Sequence, residues 1–268
     1  SSPGRILPMK VFDTIDAFQI WRRASGVDRI GFVPTMGALH IGHQSLIERS
    51  VTEADQTVLS IYVNPTQFDN PDDLKKYPDR LDQDLLLAKT CGVDAVLLPR
   101  YDEIYADGFR YAVDERHFSK TLCGRHREGH FTGVLTVVMK LLNIVKPHWT
   151  YLGEKDYQQF ELIQGMARAL FLDGEIVPCP TIREASGLAF SSRNVHLDEA
   201  GRQLAPRLYA LLGSASSDTE VARQLTELGF AVDYVVTGEA RRFAAARLGE
   251  GVHQVRLIDN IPLKQVAR

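Results

Sequence analysis

The segment Pro34-Thr35-Met36-Gly37-Ala38-Leu39-His40-Ile41-Gly42-His43 joins an apolar run to a helical pattern, and it gathers residue types that handle phosphate. His40 and His43 are three apart, so at a helix start both imidazoles can face one ligand. Gly37 and Gly42 allow a ligand to come close to the backbone, where a side chain would block it. The junction itself offers backbone N–H groups and the positive end of a helix dipole, both favourable to a bound phosphate. A bare histidine pair is more often structural or metal-binding; strand, glycines and helix start together favour catalysis.

Three further segments carry polar groups at strand exits. Asn64-Pro65-Thr66-Gln67-Phe68 follows an apolar run, and Gln67 offers both a donor and an acceptor, suited to a carboxylate and a hydroxyl on one substrate. Gly153-Glu154-Lys155-Asp156-Tyr157-Gln158-Gln159 again passes from strand to helix, with Lys155 a mobile point charge for phosphates. Asp156 at a helix start reads equally as a routine N-cap, and Gln159 lies one turn after Lys155 and Asp156. Ser191-Ser192-Arg193-Asn194 combines hydroxyls with an Arg that can hold two phosphate oxygens at once. His126 and His130 have a zinc-compatible spacing, but Gly124 and Gly129 indicate loop and no acid or thiol completes a site, so structural or substrate-contacting roles are favoured. Of the carboxylates Asp72, Asp73, Asp82 and Asp84, most read as a solvated face, with Asp84 the candidate magnesium partner.

These segments need elements to hold them. Strand patterns at 29–33, 57–63, 94–98 and 148–152 alternate with helical patterns at 42–54, 79–90, 131–145 and 157–170, with a loop predicted over 64–78. Such alternation predicts a Rossmann-like, doubly wound α/β parallel sheet with right-handed crossovers, whose ligands sit at the carboxyl ends of strands near the reversal of strand order. From about Thr181 the texture changes: helices at 198–212 and 218–228, each opened by an Asp cap, then strands at 230–236 and 256–261. The Ala-rich stretch 241–248 reads as either helix or strand. The expected division is a nucleotide-binding domain over 1–180 and a smaller α+β domain over 181–268 covering the site.

The bulk numbers exclude some classes. With 268 residues, 44% of them hydrophobic and 24% charged, the chain has ample core for an unstapled globular protein. A formal net charge of −3 without Lys/Arg runs disfavours nucleic-acid binding, which depends on phosphate neutralisation. Cys91, Cys123 and Cys179 lie far apart and read as reduced thiols of a cytoplasmic protein. No signal-peptide pattern opens the chain, whose residues 1–10 read as a polar end. The most apolar stretch, 134–145, is interrupted by Lys140 and Asn143 and reads as a buried helix rather than a membrane span.

The histidine–glycine junction is similar to the signature of nucleotidyltransferase folds that act at the α-phosphate of ATP. In joint order and spacing, the motifs resemble the pantothenate synthetase (pantoate–β-alanine ligase) family. Gly129-His130-Phe131-x-Gly133-Val134, Thr136-Val137-Val138, Asn143-Ile144-Val145-x-Pro147, Arg183-Glu184-Ala185-x-Gly187-Leu188 and Leu257-Ile258-Asp259-Asn260 belong to the same match. The resemblance implies ATP-dependent condensation of pantoate with β-alanine through pantoyl adenylate, releasing pyrophosphate and AMP. It implies ATP contacts from Met36, Gly37, His40, Gly42, His43, Gly153, Lys155, Asp156, Ile182, Ser191, Ser192 and Arg193, with His40, His43, Lys155 and Arg193 catalytic. It further implies substrate contacts from Gln67, Gln159 and Met36, magnesium at Asp84, and a homodimer. Glu128 and Ala106 stand where the family usually carries loop-stiffening prolines, and the segment after Tyr234 diverges. The alternative is another adenylyl-transferring enzyme of the same fold, such as a mononucleotide adenylyltransferase, which would release a dinucleotide instead of AMP.

Overall fold

The computed structural model describes residues 8–26 and 29–266; the opening segment 1–7, part of the stretch read as a polar end, lies outside them. The chain divides into two compact units, one holding the chain through Gly153 together with Gln158–Cys179, the other holding Glu154–Tyr157 and the chain from Pro180.

In the larger unit six parallel strands form one sheet: β1 (Lys10–Phe12), β2 (Ile30–Thr35), β3 (Gln56–Ile61), β4 (Ala95–Leu97), β5 (Trp149–Gly153) and β6 (Glu175–Cys179), in spatial order β1-β4-β3-β2-β5-β6. Strands buried on both faces should be apolar nearly throughout. In β2, Val33 packs with Leu46, Ile47 and Ala88 on one side, while Ile30 and Phe32 are fully buried too. The chain runs β2, β3, β4 in one direction and returns to β5 on the other side of β2. Strand order therefore reverses between β2 and β5, whose carboxyl ends lead into the Pro34–His43 loop and Gly153.

Several elements depart from expectation. β1 and the helix Ile15–Ala24 are additional, as is β6, whose Glu175 and Pro178 speak against a strand in sequence but are tolerated at a sheet edge. The predicted 64–78 loop contains a 3-10 turn, Pro65–Gln67, and a helical turn, Pro71–Lys75, capped by Asn70, which accepts Asp72 N–H at 2.9 Å. The helix His130–Val145 is buried along most of its circumference, as its composition requires.

In the smaller unit β7 (Ala231–Thr237), β8 (Arg241–Leu248) and β9 (Val255–Pro262) form an antiparallel sheet. The ambiguous Ala-rich stretch is thus the central strand: Ala244, Ala245 and Ala246 are buried to 1% exposure or less, so small side chains suit a strand covered on both faces. The helix expected over 198–212 is two helices, Glu199–Leu204 and Pro206–Leu212, because Pro206 lacks the N–H that would continue the first. Asp198 caps the first, accepting Gly201 N–H at 2.7 Å. For the helix Asp218–Glu227 the cap is Ser217 instead; Asp218 turns its carboxylate to Thr237 and to the buried Arg242 guanidinium.

Candidate active site

The loop after β2 is locked from several sides. Thr35 Oγ1 donates to Ser60 O at 2.8 Å and accepts Gly37 N–H at 3.2 Å. Gly37 has φ +79°, and a Cβ there would sit 2.9 Å from Asp84 Oδ2, so only glycine fits both the backbone and the space. Ala38 is also left-handed, at φ 51°, a conformation that costs energy for a residue with a Cβ. Asp84 sustains it: Oδ2 accepts Ala38 N–H and Oδ1 accepts Leu39 N–H, both at 2.8 Å, with the carboxylate 3% exposed. Burial pushes the Asp84 carboxyl above its ordinary range, and the amides of Leu39 and Ala38 oppose this only in part.

His40 is the N-cap of the helix Ile41–Glu53, and its Nδ1 accepts Gly42 N–H at 3.1 Å. His43, at the third helical position, accepts His40 N–H on Nδ1 at 3.2 Å, so the pair forms a reciprocal capping box of two imidazoles. The rings lie with centroids 4.1 Å apart. Because both Nδ1 atoms accept, each neutral ring carries its proton on Nε2, the nitrogen away from the backbone. The sequence spacing brings the pair together as expected, in one fixed tautomer.

Gln67 ends the turn after β3. Its Oε1 accepts from Asn64 Nδ2 at 2.9 Å, and Asn64 Oδ1 in turn accepts from Tyr105 Oη at 2.7 Å and Thr66 Oγ1 at 3.0 Å. Asn64 is thus fixed as acceptor on one side and donor on the other. Gln67 therefore presents its NH₂ group, a donor matched to a carboxylate, in place of the mixed donor and acceptor that its residue type offers. His130, buried, contacts Gln67 O through Nδ1 at 2.8 Å; it serves as a brace for this turn. His126 ends the short helix Leu122–His126, and Arg127 beside it pairs with Asp69 at 2.9 Å, holding the loop in which Glu128 stands.

Gly133 shows how closely the turn is packed: a Cβ there would lie 2.6 Å from Thr66 C and 2.7 Å from Gln67 N, and closer still to Thr66 O. Gly133→Ala is expected to lower the thermal midpoint by several degrees, since overpacking costs about 1–3 kcal/mol and each kcal/mol moves a chain of this size by about 2–4 °C. If the Gln67 NH₂ group meets a substrate carboxylate, KM for that substrate should rise as well. An unchanged midpoint and KM would show that helix and turn separate freely.

Met36 and Gly42 flank these groups within the same loop and helix start, Gly153 ends β5, and Gln159 lies in the first turn of the helix Tyr157–Ala169. In the smaller unit, Lys155 and Asp156 occupy the 3-10 turn Glu154–Asp156, with Lys155 Nζ 3.8 Å from Asp156 Oδ2. No N-cap bond from Asp156 accompanies the helix start. Ile182 O accepts Phe190 N–H at 3.1 Å, closing a tight loop that ends at Ser191. Ser191 caps the 3-10 helix Ser192–His196 by accepting Arg193 N–H on Oγ at 3.3 Å. The Ser191–Arg193 segment thus carries a cap of its own.

Among the described residues no group of three or more His, Cys, Asp or Glu side chains could hold a metal, and no helix is long and apolar enough to cross a membrane. Asp84 nonetheless fits a single-carboxylate contact to Mg²⁺. Each of its oxygens retains a lone pair beyond the one taken by an amide, a cation would relieve the buried charge, and Mg²⁺ commonly takes its other ligands from phosphates and water.

Residues 10–262 match the family model described as Pantoate-beta-alanine ligase. A pantothenate synthetase of Bdellovibrio bacteriovorus is 52% identical over 246 residues, spanning 92% of this chain and 96% of the relative. A crystal structure of pantoate-beta-alanine ligase from Francisella tularensis, complexed with beta-gamma ATP and beta-alanine, superposes with a TM-score of 0.87 at 40% identity, covering 95% of this chain and 97% of that one. A pantothenate synthetase structure from Thermus thermophilus gives 0.84 at 36% identity, covering 95% and 99%. A family model that spans most of the chain, and relatives of this identity matched over nearly their whole length, make the conclusion direct: the chain belongs to the pantoate-beta-alanine ligase family.

Proposed function

We propose that this chain joins pantoate to β-alanine in two steps through a pantoyl adenylate, using the β2 loop and the Lys155 and Ser191–Arg193 segments to handle ATP. As a pantoate-beta-alanine ligase, the chain is an ATP-dependent enzyme that forms an amide between these substrates. The observation that carries the two-step reading is the pair of imidazoles fixed with Nε2–H outward at a strand-to-helix junction, donors suited to charge growing on an α-phosphate.

In the first step the pantoate carboxylate attacks the α-phosphorus, the bond to the bridging oxygen of the β-phosphate breaks, and pyrophosphate leaves. In the second the β-alanine amine attacks the acyl carbon, loses a proton, and AMP departs. The nucleophile is supplied by the substrate, so no activated Ser or Cys is needed, and the protein's part is positioning and charge stabilisation. Donors on Gln67 and Gln159 would seat pantoate, Gln67 also lying toward β-alanine and Met36 beside the substrate. Met36, Gly37, His40, Gly42, His43, Gly153, Lys155, Asp156, Ile182, Ser191, Ser192 and Arg193 would contact ATP, with His40, His43, Lys155 and Arg193 meeting the reacting phosphate. Asp84 would hold Mg²⁺, and the chemistry such an ion would supply there is neutralisation of phosphate charge. A homodimer in the cytoplasm completes the proposal, supported by the family resemblance and by Cys91, Cys123 and Cys179 standing outside any disulfide.

Exchange of labelled pyrophosphate into ATP tests the intermediate. Exchange that needs pantoate but no β-alanine is expected, with AMP released at turnover only when both are present. Absence of pantoate-dependent exchange, with amide still formed, would overturn the adenylate. Pyrophosphate release without AMP would instead indicate transfer to a nucleotide, as in a mononucleotide adenylyltransferase.

A further inference from the structure

The Leu257-Ile258-Asp259-Asn260 motif lies in β9, and none of its residues carries a role in the reaction as described. Successive residues of a strand face opposite sides, and here the two polar ones are both buried, Asp259 at 6% and Asn260 at 3% exposure. Each is engaged with a segment assigned above to ATP.

On one side, Asn260 Nδ2 donates to Glu154 O at 2.9 Å and to Lys155 O at 3.0 Å, using both amide hydrogens on consecutive carbonyls of the Lys155 turn. The orientation of that amide is itself fixed, because Asn260 Oδ1 accepts from Arg241 at 2.8 Å. Arg241 also pairs with the Glu154 carboxylate at 2.7 Å and lies 4.0 Å over the Tyr157 ring. The turn is therefore held at 154, 155 and 157 by two side chains of the antiparallel sheet, and a charged pair with one planar stacking partner leaves Arg241 little freedom. On the other side, Asp259 receives the Arg183 guanidinium in a two-point pair at 2.6 and 2.8 Å. Arg183 also donates to Gly187 O at 3.1 Å and stacks 3.7 Å from the centre of Tyr209. That fixes the loop between Ile182 and Phe190, which leads directly into Ser191.

We propose that Asn260 is a positioning residue for the adenylation step, acting through Lys155, with Asp259 doing the same for the Ile182 loop through Arg183. This rests on the reading that Lys155 meets the phosphates. A lysine on an unbraced turn would reach the same atoms but would be elsewhere most of the time, so the brace affects the rate of phosphate chemistry more than the binding of pantoate.

The test is a double-mutant cycle on Asn260→Ala and Lys155→Ala, read by pantoate-dependent pyrophosphate exchange. Asn260→Ala is expected to slow exchange about tenfold, equivalent to about 1.4 kcal/mol of barrier, with KM for pantoate unchanged. In the Lys155→Ala background the same substitution should have no further effect, since the group it positions is gone. Asn260→Ser, which keeps one donor for a carbonyl, should recover part of the rate and guards against a simple folding failure of the alanine variant. Effects that multiply independently, or a wild-type rate in Asn260→Ala, would overturn the inference. A wild-type rate in Lys155→Ala alone would instead sink the assignment of Lys155.

Discussion

Replacing His43 with alanine is expected to lower kcat by about 10²–10³, the scale on which loss of one preorganised donor to a developing negative charge acts. The expectation follows from how the ring is held. Its Nδ1 is occupied by His40 N–H, which fixes the tautomer and turns Nε2–H away from the helix. Alanine removes that donor together with one capping bond, and a single hydrogen bond contributes only about 0.5–1.5 kcal/mol to stability. Most of the loss should therefore fall on turnover and little on the thermal midpoint. His43→Glu separates the two roles, because glutamate at the third helical position reaches back to the N-cap amide as in an ordinary capping box but, ionised, has no hydrogen to donate. That variant should regain wild-type stability but stay slow. Steady-state AMP release and pyrophosphate exchange provide the measurement, and near wild-type turnover in either variant would remove His43 from the chemistry.

Much of the larger unit was legible because its strands are continuous apolar runs and its helices have clear periodicity. The strands at 30–35, 56–61, 95–97 and 149–153 fall within two residues of their predicted bounds. What sequence hid was decided by position in the sheet. Glu175 and Pro178 argue against a strand until the strand is known to be an edge, and the alanines of β8 favour a helix until they are known to lie between two paired neighbours. The break at Pro206 is readable from the residue itself, because a proline has no N–H to continue the helix before it.

The pairing of the two imidazoles was legible because it is local: His40 and His43 meet within one turn, so their spacing sufficed. The orientation of Gln67 was not, because it is set by Asn64, three residues away, and then by Tyr105, forty-one residues from Asn64. Hydrogen-bond chains of this length leave no periodic trace. The same holds for Asn260 and the Lys155 carbonyl, 105 residues apart.

Asp84→Asn separates the magnesium contact expected from sequence from the hold on the β2 loop that the structure adds. A carboxylate offers an acceptor to each of Ala38 and Leu39, whereas an amide offers one oxygen and turns its NH₂ toward the second backbone N–H. One buried donor is left unmet, a cost of about 1–3 kcal/mol. It falls on the left-handed Ala38 segment that aims His40 and His43. At saturating Mg²⁺ the variant should thus lose about 10–10² in kcat, on the conversion of about 1.4 kcal/mol per factor of ten. Its stability should suffer less, because neutralising the side chain also removes a buried charge whose carboxyl is already pushed upward by burial. If Asp84 in addition meets the metal, the Mg²⁺ concentration giving half-maximal rate should rise, since a neutral amide oxygen is the poorer ligand for a hard cation. An unchanged Mg²⁺ requirement with slowed turnover would restrict Asp84 to the loop. Full turnover at saturating Mg²⁺ would show that the two backbone bonds do not govern the imidazoles, and the account of the β2 loop would fall with them.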